Sequence, residues 1–383
     1  MTHLEVADIV RDRGDAFART RRLSLGQLKA LSAIERCRSA ELGGHVLACQ
    51  SCGETHIAYN SCRNRHCPKC QGSAAKRWLA DRQAELLPVE YYHIVFTLPA
   101  LVADVAFQNP ASVYNLLFKV TAQTLRTIAA DPKHLGVDIG VTAVLHTWGS
   151  AMTHHPHLHC VVPGGGLTPQ GQWLPCKRGY LLPVPVLSRL FRRLFLEQLI
   201  ALHPKLKFYG ALAPLVQRMA FKDYLKPVRQ VEWVVYAKRP FAGPEAVFSY
   251  LALYTHRIAI SNQRLIAYDH GVVTFKYKDY RRKGRERYRS MQLHVDEFLR
   301  RFLIHVLPLG FHRIRYFGLF ANHQRRRRLQ QVRETLNVPP PEVDNASEDT
   351  ERTKPPVFVC RTCGVGMIIL QVLDRSRYAR APP

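Results

Sequence analysis

Two Cys-x-x-Cys pairs near the start of the chain constrain its fold more than any other sequence feature. Cys49 and Cys52 form the first pair, Cys67 and Cys70 form the second, and fourteen residues separate the pairs. This spacing is typical of a closed tetrahedral zinc site, in which four thiolates hold two tight loops together and the metal has a structural role. We therefore predict a structural Zn²⁺ bound by these four cysteines within a small N-terminal domain.

Other metal-binding side chains surround the two pairs. Six of the ten cysteines lie between Cys37 and Cys70, and the N-terminus lacks the apolar core of a secretory signal. This arrangement favours metal binding over disulfide bonds. Cys62 and His66, like Cys37 and His45, are close enough to replace one ligand or to form a second site. The sequence therefore leaves the exact ligand set open.

The charge of the chain indicates a polyanionic partner. The 383 residues include 55 lysines and arginines but 29 acidic residues, for a net charge of +26. Such a surplus favours nucleic acid over its rival, an acidic membrane surface. The chain contains no apolar run of about 18 residues, the length that a membrane span requires. We therefore expect a cytoplasmic, nucleoid-associated protein. Arg63 and Arg65 lie inside the cysteine motif and suggest DNA contact; the alternative is a module for protein contacts or for stability alone.

A second chemically informative stretch is His157-Leu158-His159, which leads into an apolar segment. Successive side chains of a β-strand point to opposite faces, so His157 and His159 would share one face while Leu158 points into a core. Two imidazoles side by side on a strand can bind a divalent metal. The alternative is a histidine-rich strand edge that binds no metal.

Residues 243–257 have the pattern of an amphipathic helix, with Pro244 suited to its first turn. Tyr250 and Tyr254 are four residues apart, which places both phenols on one face of that helix. A phenol is a weak nucleophile toward a phosphodiester, and a metal that polarises the phosphate would assist it. The alternative is a pair of core tyrosines on an apolar stripe.

A dense basic segment follows, in which positive residues alternate with aromatic ones. Such a pattern suits a surface that tracks a nucleic-acid backbone and stacks the bases of a single strand. The alternative is an ordinary charged hairpin. The basic residues that we predict to contact DNA here are Lys276, Lys278, Arg281, Arg282 and Lys283, and the aromatic residues among them include Tyr277, Tyr280 and Tyr288.

Together these motifs resemble a known family. His157-Leu158-His159 resembles the His-hydrophobic-His motif of HUH endonucleases, and the pair Tyr250 and Tyr254 resembles the paired tyrosines of the insertion-sequence-91 family of rolling-circle transposases. The stretch 62–71, Cys-Arg-Asn-Arg-His-Cys-Pro-Lys-Cys-Gln, is similar to the N-terminal zinc module of those proteins. The resemblance runs from about residue 5 to residue 325, with the motifs in the family's order.

The resemblance implies an α+β fold, in which an HUH-type five-stranded antiparallel sheet is flanked by helices and follows a small zinc-binding domain. It also implies Mg²⁺ or Mn²⁺ at His157 and His159, Tyr250 and Tyr254 as catalytic nucleophiles, and single-stranded DNA of the element ends and target as substrate. A third metal ligand is expected but is not identified by the sequence. The candidates are His93, His146, His154, His155, His256 and Glu245.

We therefore expect four segments: a helical and zinc-binding domain at 1–90, a catalytic domain at 91–330, a linker at 331–359 and a tail at 360–383. The tail carries one further Cys-x-x-Cys pair, which either completes a site with upstream residues or binds no metal. The function expected is a transposase that nicks single-stranded DNA through a 5′-phosphotyrosine link and transfers the strand. The alternatives are a non-enzymatic zinc-containing DNA-binding regulator and a related replication initiator or relaxase.

Overall fold

The computed structural model describes residues 4–83, 85–238, 246, 259–282, 284–339 and 358–375. The helices of this part of the chain are α1 (Val6–Thr20), α2 (Leu25–Glu35), α3 (Gln71–Gln83), α4 (Ala100–Gln108), α5 (Pro110–Ala130), α6 (Val184–Leu202), α7 (Arg218–Tyr224), α8 (Lys226–Gln230), α9 (Val295–Leu303) and α10 (Arg325–Thr335). The strands are β1 (Gly44–Cys49), β2 (Thr55–Tyr59), β3 (Tyr91–Thr97), β4 (Gly140–Trp148), β5 (His154–Pro163), β6 (Gly165–Leu167), β7 (Trp173–Pro175), β8 (Val235–Lys238), β9 (Leu265–Asp269), β10 (Val272–Lys278), β11 (Tyr288–His294), β12 (Ile314–Gly318) and β13 (Met367–Leu373).

The chain forms two compact units, and each is built from separate stretches of sequence. The cysteine unit comprises Met1–Ser73, Ile260–Val306 and Glu342–Pro383, and the sheet unit comprises Ala74–Ala259 and Leu307–Pro341. This division is not the linear one expected from the sequence, because the basic segment groups with the N-terminal cysteines. The start of the expected linker, residues 331–335, belongs to α10, whereas residues 340–357 lie outside the described part.

The sheet unit is organised around a five-stranded sheet with the strand order β12-β4-β5-β3-β8. Every neighbouring pair in this sheet is antiparallel. Helices lie against it, so the expected α+β class with an antiparallel sheet flanked by helices is confirmed. The strand β5, which carries the two histidines of the His-x-His motif, is the central strand of the sheet.

One face of this sheet is covered by the main apolar core. Leu158, Cys160 and Val162 alternate along β5 and are all buried in that core, together with apolar residues of α5 and α6 such as Phe118 and Phe191. Burying a large apolar side chain of this kind contributes about 1.5–3 kcal/mol. The alternation along β5 therefore places His157 and His159 on the face opposite this core. A shift of the strand by one residue would bury both histidines in the core instead.

The cysteine unit contains two small sheets. One has the order β13-β1-β2, so a strand from the expected C-terminal tail pairs antiparallel with β1, with Cys49 opposite Met367. The other, the basic sheet, has the order β11-β10-β9 and includes the basic segment in β10, in β11 and between them. Residues 367–373 of the expected tail are therefore part of a sheet.

Helices complete the cysteine unit. Ser24 caps the first turn of α2, where its hydroxyl accepts from the backbone N–H of Gln27 at 3.3 Å and the Gln27 side chain accepts from the Ser24 N–H in return. Arg13 of α1 donates to Asp296 of α9 at 3.0 Å, which attaches the N-terminal helix to the helix beside the basic sheet. In the described part of the chain, no helix combines the length and the apolar character needed to cross a membrane.

Candidate metal centres and nucleic-acid surface

Three histidines of the sheet unit meet on the face opposite the main core. His157 pairs directly with His146 across β5 and β4, and His159 lies two residues further along β5, opposite Val144. Residues directly opposed in antiparallel strands share a face, so the three imidazoles converge. Their ligand nitrogens all lie within 4.8 Å of one another. This is the spacing of a cluster that one divalent ion can bridge.

Hydrogen bonds orient two of these rings. The Nδ1 of His157 lies 2.7 Å from the backbone carbonyl of His155 and donates to it, which leaves Nε2 with its lone pair. The Nδ1 of His159 lies 2.7 Å from Nε2 of His93. In the metal-binding tautomer, His159 donates its Nδ1 proton to His93, and its Nε2 is again the nitrogen that carries the lone pair. Such outer partners commonly fix the tautomer and ring orientation of metal-bound histidines.

The environment keeps the imidazoles of His157 and His159 neutral at pH 7. The pKa of His157 is lowered to about 4, mainly by burial; the His155 carbonyl opposes this shift, and the rings of His155 and His93 add to it. Burial also lowers the pKa of His159 well below its usual value, with His146, His157 and His93 adding to the effect. A neutral imidazole is the form that binds a metal, so protons do not compete for these nitrogens near neutral pH.

The structure distinguishes among the candidates for a third ligand. His146 joins the cluster, and its ring also stacks on Trp148 with centroids 4.6 Å apart. His93 supports His159 from the adjacent strand. His154 faces elsewhere, since its Nε2 is hydrogen bonded to the Tyr114 hydroxyl at 2.8 Å. The candidate His155 contributes its carbonyl to His157, and Glu245 and His256 lie outside the described residues.

The two predicted nucleophiles, Tyr250 and Tyr254, also lie outside the described residues. The strand that leads toward them is described. β8 pairs with β3 at the edge of the sheet, and its last residue, Lys238, is opposite His93. The chain therefore leaves the sheet at the level of the residue that supports His159.

The cysteines form two clusters, and the predicted grouping of Cys49, Cys52, Cys67 and Cys70 is wrong. The first cluster contains Cys67 and Cys70 together with two other cysteines, and the second contains Cys49 and Cys52 together with the C-terminal pair. The full sets are Cys37, Cys62, Cys67 and Cys70 for the first cluster, and Cys49, Cys52, Cys360 and Cys363 for the second.

The hairpin formed by β1 and β2 explains the error. Cys49 is at the far end of β1, after which β2 runs back, and the Asn60 N–H donates to the Gly43 carbonyl at 2.9 Å. The chain thus returns to the start of β1 before it reaches Cys62. A strand rises about 3.3 Å per residue, so the hairpin separates Cys49 from Cys62 by most of its length. Sequence spacing alone does not reveal this return.

The first cluster has the dimensions of a closed thiolate site. The Sγ of Cys70 lies 3.5 Å from that of Cys37 and 3.6 Å from that of Cys62. Tetrahedral zinc with Zn–S bonds of about 2.3 Å separates its sulfurs by about 3.8 Å, so the four thiols fit the ion closely. Hydrogen bonding from the Cys62 thiol lowers the pKa of Cys37 to about 7. Of the other proposed substitutes, His66 is buried beside Cys67 but is not a member of this cluster.

Cys37 is a member of the first cluster that the sequence analysis placed outside the predicted four and offered only as a substitute. It follows α2 by two residues and is fully buried. Its backbone is held beside the returning chain, where the N–H of Arg38 donates to the carbonyl of Asn60 at 3.1 Å. A lone cysteine before the first Cys-x-x-Cys pair, matched by the lone Cys62 after it, is the sequence signal that could have indicated this ligand.

The basic sheet presents its predicted DNA-binding residues in an ordered row. Val273 and Phe275 of β10 are buried, and Phe275 packs on Phe298 of α9 with ring centroids 6.0 Å apart. Lys276 and Lys278 alternate with these positions and so lie on the outer face. On β11, Tyr288 is opposite Lys278, and the ammonium lies 4.9 Å from the centre of the Tyr288 ring.

The remaining predicted DNA-binding residues differ in their ion pairs and in their burial. Arg281 is exposed but forms an ion pair with Asp279 at 3.0 Å, and Arg282 is paired with Glu286 at 3.6 Å. Lys283 lies outside the described residues. Beside the first cysteine cluster, Arg63 is exposed, whereas Arg65 is half-buried and burial lowers the pKa of its guanidinium.

Comparisons with known proteins agree with the arrangement of the chain. Residues 9–98 match a family described as "Transposase zinc-binding domain", and residues 140–328 match a family described as "Putative transposase". The first match contains all four cysteines of the first cluster, and the second contains the three clustered histidines. No solved structure matches the chain.

Two relatives are similar over nearly their whole lengths. The chain is 54% identical to "Putative transposase y4qJ" of Sinorhizobium fredii (strain NBRC 101917 / NGR234), over 97% of this chain and 96% of that protein. It is 27% identical to "Transposase for insertion sequence element IS801" of Pseudomonas savastanoi pv. phaseolicola, over 89% of this chain and 83% of that protein.

A sheet that gathers histidines, a cysteine-rich domain and a basic surface thus occur in a chain whose relatives are transposases, the class of enzyme that cleaves DNA and transfers its strands. Within that class, the chain belongs to the insertion-sequence-91 family and carries that family's N-terminal zinc-binding domain.

Proposed function

We propose that this transposase nicks single-stranded DNA at the ends of its element, through a tyrosine nucleophile assisted by Mg²⁺ or Mn²⁺, and moves the strand by a rolling-circle route. The convergence of His146, His157 and His159 is the observation that carries this proposal. A protein that only bound DNA would have no use for three imidazoles directed at one point. A DNA-processing enzyme of this charge would act at the nucleoid.

The three histidines would hold the metal through ring nitrogens, and Nε2 is that nitrogen in His157 and in the metal-binding tautomer of His159. When bound, the metal supplies polarisation of the scissile phosphate and offsets its developing charge. Three protein ligands leave coordination positions for phosphate oxygens. The histidines lie on rigid paired strands, which keeps the ligand positions fixed before DNA binds.

Tyr250 and Tyr254 are the proposed nucleophiles. The phenol oxygen of one tyrosine attacks phosphorus, a new O–P bond forms, the bond from phosphorus to the 3′ oxygen breaks, and a proton returns to that oxygen. The products are a 5′-phosphotyrosine link and a free 3′-hydroxyl, so rejoining requires no nucleotide cofactor. A second tyrosine permits a second cleavage before the first end is released.

Chain connectivity allows the tyrosines to reach the histidines. β8 ends beside β3 at the level of His93, and Tyr250 follows Lys238 by twelve residues. Twelve residues span at most about 40 Å when extended, and a helix of that length about 18 Å. His93 is in contact with His159, so the segment starts close to the proposed metal site.

The cysteine unit would supply DNA binding. We propose a structural Zn²⁺ at Cys37, Cys62, Cys67 and Cys70, which would hold Arg63 and Arg65 within one ordered loop. Lys276, Lys278 and Tyr288 on the outer face of the basic sheet combine charges for phosphates with a ring on which a base can stack. Single-stranded DNA suits this pairing of functions better than a closed duplex does.

A denaturing gel tests the proposal. The protein is incubated with a labelled single-stranded oligonucleotide from an element end and Mn²⁺, and we expect a covalent band that the double variant Tyr250→Phe/Tyr254→Phe does not form. Tyr180→Phe, a change at an exposed tyrosine of the sheet unit, is the matched control and should keep the band. A covalent band from the double variant would show that the nucleophiles are other residues.

His157→Ala should remove metal-dependent nicking while leaving oligonucleotide binding close to that of the unchanged protein. If the variant cleaves at the normal rate, the histidine cluster is not the metal site. If the unchanged protein binds DNA but never forms a covalent band under any divalent ion, the non-enzymatic regulator is the better description.

A further inference from the structure

Two widely separated segments of the cysteine unit have the same local structure. The stretches 49–53 and 360–364 both have the sequence pattern Cys-x-x-Cys-Gly. In each, the glycine N–H donates to the carbonyl of the first cysteine at 3.0 Å. Gly53 and Gly364 have φ angles of 71° and 75°, a left-handed conformation that favours glycine. Both segments therefore form the same tight loop.

The match extends to the groups around the first sulfur of each loop. The backbone N–H groups two and three residues further on point at the sulfur, from Ser51 and Cys52 in one loop and from Thr362 and Cys363 in the other. The N–H of each first cysteine also bonds to the carbonyl five residues ahead, at 2.9 Å in the first loop and 2.8 Å in the second. Amides directed at sulfur stabilise thiolate rather than thiol.

The two loops face each other. The Sγ of Cys49 lies 3.4 Å from that of Cys363, and the Sγ of Cys52 lies 3.6 Å from that of Cys360. All four sulfurs lie within 4.8 Å of one another. The antiparallel pairing of β1 with β13, in which Cys49 is opposite Met367, holds the loops in this position.

These distances suit a shared ion better than covalent bonds. A disulfide requires about 2.05 Å between its sulfurs, whereas thiolates on one zinc lie about 3.8 Å apart. The match to the zinc-binding domain ends at residue 98 and the second match ends at residue 328, so Cys360 and Cys363 lie beyond both. The zinc-binding domain of the family thus contains the first cluster whole but only half of the second.

We propose that Cys49, Cys52, Cys360 and Cys363 bind a second structural zinc ion, which joins the C-terminal segment to the N-terminal part of the cysteine unit. The first cluster is a separate site with its own four ligands. The proposal does not depend on how the transposase cleaves DNA. It gives the C-terminal Cys-x-x-Cys pair a specific partner, which its isolated position in the sequence could not supply.

Metal analysis of the full-length protein tests this site. The zinc content per chain is measured by mass spectrometry for the unchanged protein, for Cys360→Ser/Cys363→Ser and for the control Cys176→Ser, which changes a half-buried cysteine of the sheet unit. We expect the double variant to lose one equivalent of zinc and the control to lose none. An unchanged zinc content in the double variant would overturn the proposal.

Cobalt substitution separates thiolate sites from the histidine cluster, because imidazole ligands do not give a sulfur-to-cobalt charge-transfer band. The intensity of that band should fall by half in the double serine variant. Intact-mass measurement under non-reducing conditions adds a second check. A mass lower by two hydrogen atoms for each disulfide, with no zinc bound at these cysteines, would show that the four sulfurs form disulfides instead.

A ligand exchange covers the case in which the serine variant fails to fold and loses all zinc. Cys363 is exposed, so Cys363→His has room to place an imidazole nitrogen near the other three sulfurs. We expect this variant to keep its full metal content and to show a cobalt spectrum with one thiolate fewer. A spectrum identical to that of the unchanged protein would mean that Cys363 is not a ligand.

Discussion

The rings of His93 and His159 stack with their centroids 4.9 Å apart and their planes 8° from parallel. The stacking comes from a diagonal contact between β3 and β5, since His93 is opposite Val161 and His159 is opposite Val95. His93 is therefore a positioning residue, which holds the ring of a proposed metal ligand without being one of the three clustered histidines.

His93→Ala should weaken Mn²⁺ binding by about 10- to 100-fold, the usual effect of removing an outer-shell partner. Calorimetric titration of the metal measures this change, and the fold should persist because the remaining strand pairing is unaffected. His134→Ala, a change at an exposed turn residue, serves as the control. If Mn²⁺ binding to His93→Ala matches that of the control, His93 does not support the site.

Lys276→Ala/Lys278→Ala should weaken binding of a single-stranded oligonucleotide and flatten its dependence on salt. Removal of one phosphate contact lowers the slope of log K against log salt by about 0.7, so the pair should lower it by about 1.4. Fluorescence anisotropy over a range of salt concentrations measures the slope. Lys133→Ala, in an exposed turn of the sheet unit, removes one charge outside the basic sheet, and a drop in slope of about 0.7 for that variant would indicate a general charge effect.

Tyr288→Ala should affect the same binding in a different way. Loss of a stacked base costs about 1–3 kcal/mol, and the salt slope should stay unchanged because no charge is removed. Tyr288 is 63% exposed, so the substitution should leave the stability of the protein almost unaltered. If the salt slope falls together with the affinity, Tyr288 does not act by stacking a base.

Glu297→Gln should lower stability in a pH-dependent manner. Hydrogen bonding from Arg300, at 2.6 Å, and then from Arg301 lowers the pKa of Glu297 to about 2, below the 4.5 of an unperturbed glutamate. A lowered pKa in the folded state stabilises the protein above pH 4.5, and this contribution disappears as the pH falls toward 2. The ion pairs are partly exposed, so we expect a difference of about 0.5–1 kcal/mol at pH 7.

Urea unfolding of the Glu297→Gln variant and of the unchanged protein at several pH values measures that difference. Both proteins lose thiolate-bound metal in acid to the same degree, so the comparison isolates the carboxylate. The two stabilities should converge between pH 4.5 and pH 2. A gap that persists at pH 2 would mean that the substitution acts through packing instead of charge.

Cys37→Ser should remove one equivalent of zinc and destabilise the cysteine unit more than Cys176→Ser does. Cys37 is fully buried and lies 3.5 Å from Cys70, so a serine hydroxyl would leave three thiols around the ion. Zinc analysis and thermal unfolding measure the effects. Full zinc retention by Cys37→Ser would remove this residue from the ligand set of the first cluster.

Local patterns predicted the elements of the sheet unit well. The alternation of Leu158 and Cys160 with His157 and His159 was sufficient to assign a strand and to place both histidines on its outer face, and β5 has that arrangement. Strand alternation is a property of a few consecutive residues, so it can be read without knowledge of the rest of the fold. Selection of His146 required the pairing register between β4 and β5, which the sequence does not display.

Long-range pairing is the reason that the cysteine ligands were grouped incorrectly. The spacing between Cys52 and Cys67 resembles that of a single zinc site, but the β1–β2 hairpin returns the chain toward Cys37, and β13 brings Cys360 to Cys49. Both arrangements depend on which distant strand occupies each side of β1. The same limit applies to the basic segment, which groups with the N-terminal cysteines although a long stretch of sheet-unit sequence separates them.

The pairing of β1 with β13 has a consequence for synthesis of the protein on the ribosome. Residues 44–49 are made early, yet the partner strand at 367–373 emerges more than 300 residues later. Throughout that interval, one side of β1 is open to other nascent chains. The order of translation therefore means that most of the sheet unit is made before β1 gains this neighbour, and a chain cut short before residue 360 would lack the partner of its earliest strand.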